Sequence, residues 1–171
     1  MIDRQQKMDR ARDLFLEGYN CAQAVAAAYA PEMGLDEKLV LRMSAAFGGG
    51  IGGQRLICGA VNGMNMVLSY ITGYDEADDM DTKKTLYANV RRMAAMFTEQ
   101  HETMVCRDLL TQSGIRAREE PSERTPNTTA PVPACGMWKL APALWRMCST
   151  RNEKSVSVCC TKMQQAVFFL S

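Results

Sequence analysis

Residues 48–63 read GGGIGGQRLICGAVNG. Five of the first six are glycine, and Cys58 then opens a second stretch of small residues that closes on Gly63. Glycine loses more backbone freedom on folding than any other residue, so such a run marks positions needing positive φ or a close backbone approach. From Cys58 to Ile71 the chain carries no charge, and Val61, Met64, Leu68 and Ile71 recur at helical spacing. The stretch therefore reads as a glycine loop feeding a central helix, with Cys58 in that helix's first turn. A first turn presents unpaired N–H groups and the positive end of the helix dipole. Both favour a thiolate, the form that attacks disulfides and binds metals. The loop lacks the Lys-Ser/Thr ending of a phosphate-binding loop. A cysteine here also fits as a small buried hydrophobe.

Toward the N-terminus, Met8, Ala11 and Phe15 recur among charges and predict an amphipathic helix over residues 3–17, closed by Gly18. Asn20 is a good N-cap for a second helix, Cys21 to about Ala30, which places Cys21 at a helix start like Cys58. Ala22, Ala24, Ala26, Ala27 and Ala28 make that helix thin, so neighbours can approach it closely. Pro31 and Gly34 end it, and Asp36 caps a third helix with Leu39, Met43, Ala46 and Phe47 on one face. Toward the C-terminus, Gly73 closes the central helix and the acidic run Asp75 to Asp81 forms a solvated turn and helix start. Leu86, Val90, Met93 and Phe97 mark a long amphipathic helix, and Val105, Cys106, Leu109 and Leu110 a shorter one before Gly114. No run of alternating β-branched residues is present. The expected fold class is all-α, a compact helical bundle with the glycine-rich loop before a central buried helix.

Charge and composition exclude several functions. The 171 residues carry a formal net charge of +1, so no global attraction to nucleic acid is expected. The opening MIDRQQKMDR has no apolar core behind it, and no later stretch is long and clean enough to span a membrane. Seven cysteines without a secretory signal point to reduced thiols and a cytoplasmic setting. No CxxC pair exists, so neither a thioredoxin motif nor a zinc ribbon is indicated. The single histidine, His101, lies between charged residues and reads as part of a solvated face. Cys106 lies among Val105, Leu109 and Leu110 and taken alone reads as a core residue; Arg107 beside it points elsewhere on a helix. Histidine bases, paired carboxylates on one helix face and a nucleophile elbow are all lacking, which leaves enzyme status open.

Three cysteine contexts occur in order: GYNCAQAV at 18–25, FGGGIG at 47–52 leading to CGAVNG at 58–63, and CRDLL at 106–110. Together they resemble the family named for its cysteine pattern, C_GCAxxG_C_C, over about residues 8–126. The resemblance implies a small helical protein that is redox-active through four characteristic cysteines, with an iron–sulfur cluster or other soft metal as cofactor. Cys21, Cys58 and Cys106 match the first three cysteines. Thiolates are the ligands such clusters use. Gly48, Gly49, Gly50, Gly52 and Gly59 would let backbone N–H groups approach sulfur and bind the cofactor's surroundings. Gln54-Arg55-Leu56-Ile57 departs from the glycine-richer link common before the second cysteine. A metal-free thiol–disulfide protein needs the same thiols, and a helical interaction module would only pack them. A redox partner protein is implied, while self-association into a homo-oligomer stays open.

The fourth cysteine is not where the resemblance expects it. From Asn127 onward lie both tryptophans and four of the seven cysteines, but only one acidic residue, Glu153. A one-base shift of frame through this segment is compatible with a proline-cysteine pair, then an amphipathic helix, then a stop across Asn152 and Glu153. Residues 1–126 are accordingly read as the helical cysteine-motif domain, and 127–171 as a poorly packed tail translated out of frame. Cys135 lies close to the lost position and is the substitute candidate for the fourth metal ligand.

Overall fold

The computed structural model describes residues 4–117 and 120. The tail expected from residue 127, and Cys135 with it, lie outside the described residues. Among the described residues seven α-helices follow one another: α1 (Arg4–Leu16), α2 (Cys21–Ala28), α3 (Ala30–Met33), α4 (Glu37–Ser44), α5 (Gly59–Thr72), α6 (Met80–His101) and α7 (Cys106–Gln112). A single 3₁₀ turn, Ala45–Phe47, continues α4, and no strand occurs among the described residues. The all-α reading is correct.

Side chains start these helices as the sequence suggests. The Asn20 side chain accepts from the N–H groups of Ala22 and Gln23, and Gln23 accepts from the Asn20 N–H, which completes a capping box. Asp36 accepts from the Leu39 N–H and Asp79 from the Thr82 N–H in the same way. One expected boundary moves. α2 stops at Ala28 instead of Ala30, and Pro31 sits in the first turn of α3. Pro31 has no N–H to offer the Ala27 carbonyl, so it cannot continue α2, yet its fixed φ suits a helix start. Gly34, at φ 64°, ends α3.

Helix α2 packs chiefly against α5, and also against α1 and α4. Its alanines Ala22, Ala24, Ala26, Ala27 and Ala28 are all buried. On α5, Gly63 faces the same crossing: a Cβ there would stand 2.7 Å from the Ala22 carbonyl oxygen and 3.2 Å from Val25 Cβ. Around this contact Leu14 of α1, Val67 and Leu68 of α5 and Met93 and Phe97 of α6 are fully buried. Beside them Lys7 of α1 pairs with Glu32 of α3 at 2.6 Å, both nearly buried.

The buried face of α4 differs from the expected one. Val40, Leu41 and Ser44 are buried, whereas Leu39, Met43 and Phe47 are exposed. The Gln23 side chain donates to the Leu41 carbonyl at 2.9 Å and the Asn20 side chain to the Ala45 carbonyl at 2.9 Å. Those two bonds from α2 orient α4, and they outweigh the wider apolar stripe. His101 also departs from expectation: it ends α6 half-buried, its ring 4.7 Å from that of Phe97.

The crossing makes a direct test available. Gly63→Ala adds helix propensity of about 1 kcal/mol, but its methyl meets a backbone carbonyl that cannot step aside. The variant is expected to be destabilised by roughly 1–3 kcal/mol, read as a lower urea midpoint. A raised midpoint would show that the helices are not held this close.

Candidate functional site

Each of the three described cysteines stands at the start of a helix. Cys21 is the first residue of α2, behind the Asn20 cap, and Cys106 is the first residue of α7, behind Val105. Cys58 is one residue earlier than expected: it is the N-cap of α5, with extended backbone at φ −53°, ψ 132°. No polar cap such as Asn or Asp occupies that position, so the sulfur itself faces the N–H groups of Ala60 and Val61. Such groups are unpaired at a helix start and favour negative charge.

Two features bring distant segments together. Residues 55–58 run antiparallel to residues 104–107: the Cys58 N–H donates to Met104 at 2.9 Å, Cys106 to Leu56 at 2.6 Å and Arg107 to Arg55 at 3.2 Å. This short ladder sets Cys58 and Cys106 on neighbouring segments. Absent side chains do the rest. A Cβ on Gly59 would collide with Cys21 Sγ, and one on Gly50 would stand 2.8 Å from Cys106 Cβ. Gly48 likewise lies against the Asn20 side chain that caps α2.

The later part of the loop, residues 51–56, turns its amides inward to close the loop. Gly49, Gly50, Gly52 and Gly53 all have positive φ, as do Ile51 and Arg55. The N–H groups of Ile51, Gly52 and Gly53 donate to Phe47, Ala46 and Gly48, and those of Gln54, Arg55 and Leu56 to Ile51, Gly49 and Gly50. Those six amides are turned onto loop carbonyls. Gly48, Gly50 and Gly59 contribute by leaving room, while a Cβ on Gly52 would face open space.

None of the three thiols is in a disulfide. Burial pushes the Cys58 thiol well above its ordinary 9.0; negative charge on Cys21, and more weakly on Cys106, adds to this, against the pull of the Ala60 and Val61 N–H groups. Burial also pushes the Cys106 thiol up, and charge on Cys21 adds to it. The Arg55 guanidinium opposes that rise through a hydrogen bond and its charge. Cys58 is 3% exposed and Cys106 6%, whereas Cys21 is half-buried. Among the described residues no three His, Cys, Asp or Glu side chains form a group able to hold a metal ion.

Arg55 is the site residue that sequence reasoning missed as a participant. Its signal was a long cation in a link where glycine is easier to accommodate, but its contact with Cys106 depends on a left-handed turn at φ 62°. Arg107, adjacent to Cys106 in sequence, is exposed and plays no part in that thiol's electrostatics.

Thiols from three separate helix starts, gathered under a glycine loop, define a cysteine-centred helical domain. The profile of the family described as "Putative redox-active protein (C_GCAxxG_C_C)" matches residues 19–167, and the chain belongs to that family. The match takes in Cys21, Cys58, Cys106 and Cys135 and runs past Pro126. Neither a curated protein nor a solved structure matches the chain. No described helix is long and apolar enough to cross a membrane.

Reactivity follows from burial and charge. At pH 7 Cys58 and Cys106 of the folded, reduced protein are uncharged and covered, so iodoacetamide is expected to alkylate Cys21 first and the other two far more slowly. An unfolded chain ionises its thiols near 9.0, while the folded chain resists. Metal-free stability should therefore be fully present below that pH and fall as pH rises through it. Peptide mapping after timed alkylation and urea midpoints between pH 7 and 10 check both. Equal labelling of all three, or a midpoint that rises with pH, contradicts the assignment.

Proposed function

We propose that Cys21, Cys58 and Cys106 are three thiolate ligands of an iron–sulfur cluster, the fourth position falling to Cys135 if the tail is genuine and to the proline-cysteine pair of the shifted frame if it is not. The observation that carries this reading is that thiols from helix starts far apart in sequence lie within electrostatic reach: charge on Cys21 and Cys106 acts on Cys58, and charge on Cys21 acts on Cys106. Thiolates suit the cluster in chemistry.

Such a cluster, when bound, supplies one-electron transfer. The chain's own residues would hold the ligands and tune them. The Ala60 and Val61 N–H groups toward Cys58, and the Arg55 guanidinium toward Cys106, favour the thiolate forms that binding requires. Burial keeps these same sulfurs protonated until a metal takes the place of the proton, so loading releases protons and weakens as pH falls. A one-electron centre of this kind needs a redox partner protein.

A metal-free thiol–disulfide role is the competing reading, and the two high, covered thiols count against it. Exchange with an outside partner needs an accessible thiolate. Anaerobic purification followed by iron, sulfide and visible-absorption measurement separates the two. The expected result is iron with acid-labile sulfide and visible charge-transfer bands, all reduced by more than half in Cys21→Ser, Cys58→Ser and Cys106→Ser. Colourless, metal-free protein that loses two thiols on mild oxidation would overturn the cluster.

We also propose that residues 127–171 are translated out of frame, on the strength of their loss of acidic residues and their gathering of cysteine and tryptophan. The nucleotides for residues 120–155 decide it. A one-base shift is expected to yield a proline-cysteine pair, a helical segment and a stop. If it yields none of these, Cys135 becomes the fourth donor in a genuine tail.

A further inference from the structure

Beside the thiols lies an open groove of about 670 Å³ between the end of the glycine loop and the far side of α7. Arg55, Arg107 and Arg116 line it together with Thr111 and Gly114. The volume falls within the roughly 300–1,000 Å³ typical of small-molecule sites.

Three observations indicate that this is more than a solvated surface. First, Arg55 holds positive φ, which a side-chain-bearing residue adopts at a cost and which persists only where the surroundings enforce it. The ladder enforces it here: the Arg55 N–H donates to Gly49 and its carbonyl accepts from Arg107. The guanidinium folds back over the loop, with Nη1 3.2 Å from where a Cβ on Gly49 would stand, and reaches Cys106. Secondly, Arg107 stands in the first turn of α7, where the helix dipole disfavours a cation. Thirdly, Arg107 and Arg116 are exposed and take part in no ion pair among the described residues, so both guanidinium groups are turned to the groove without a carboxylate partner there. The nearby carboxylate of Asp108 is engaged elsewhere, accepting from Thr103 Oγ1.

We infer that this groove binds a phosphate-bearing small molecule through Arg55, Arg107 and Arg116. Three guanidinium forks offer more N–H donors than one carboxylate can accept, whereas a phosphate presents three strong acceptor oxygens and up to two charges. Guanidinium geometry matches phosphate through paired hydrogen bonds. The bound group would lie across Arg55 from Cys106, so the ligand and the thiol share one guanidinium. Anion binding would draw that guanidinium's charge away from sulfur. Arg107 and Arg116 play no part in the thiols' electrostatics, so anion binding read at these two residues can fail or hold separately from the cluster.

The test is calorimetric titration of the full-length reduced chain with pyrophosphate, at constant ionic strength in chloride. Saturable binding at one ligand per chain is expected, weakened roughly tenfold or more by Arg107→Gln and by Arg116→Gln, each of which removes a charge-assisted hydrogen bond. Both residues are exposed, so the variants should keep the wild-type urea midpoint. Arg12→Gln, at an exposed pair on α1, should bind as the wild type does. Absence of saturable binding overturns the site. An equal loss in Arg12→Gln shows only general charge attraction and overturns it too. Citrate binding as tightly as pyrophosphate would overturn the phosphate assignment.

Discussion

The close crossing of α2 and α5 is the constraint on which the rest depends. It exists because one helix is nearly all alanine on its buried side and the other carries glycine where they meet. Gly63 leaves room for the Ala22 carbonyl, and Gly59 leaves room for Cys21 Sγ. A larger residue at either place would separate the helices. Cys21 would then leave the start of α5, and with it Cys58. Packing and chemistry are therefore set by the same two missing side chains.

The second constraint is the four-residue ladder between residues 55–58 and 104–107. It is too short to count as a sheet, yet it carries α7 and Cys106 to the group already formed by α2 and α5. The loop before it bends sharply enough to require positive φ at six positions between Gly49 and Arg55. Two of those six are not glycine, and one of these, Arg55, meets Cys106. The resulting environment sets opposed tendencies on sulfur. Burial favours the neutral thiol, while helix N–H groups and a guanidinium favour the thiolate. Burial wins in the metal-free protein, which protects the thiols from casual oxidation. In the proposed cluster-bound protein, the metal would reverse the balance by supplying the positive charge that the interior lacks.

Much of the fold was readable because helix starts are local events. Asn20, Asp36 and Asp79 each cap a helix through their own side chain, and Gly34 ends one through its own φ. Cys21 and Cys106 could be placed for the same reason. Cys58 shifted by a residue because its helix begins without a polar cap, and sequence offers nothing else to mark that start. The buried face of α4 was not readable. Its residues 39, 43, 46 and 47 form as good a stripe as 40, 41 and 44, and bonds from Gln23 and Asn20 on α2 select between them. The glycine loop was recognisable as a loop, but the direction of its amides was not, because it depends on a closure of six hydrogen bonds. Arg55 and the groove beside α7 follow from that closure and were out of reach for the same reason.

The central claim is that Cys21, Cys58 and Cys106 act as one donor set. Cadmium titration of the reduced full-length chain, followed by thiolate-to-metal charge-transfer absorption, measures this most directly. One strong band saturating at a fixed stoichiometry, and diminished by serine at any one of the three positions, is the result this account predicts. A band that survives two of the three substitutions unchanged would show independent cysteines and contradict it.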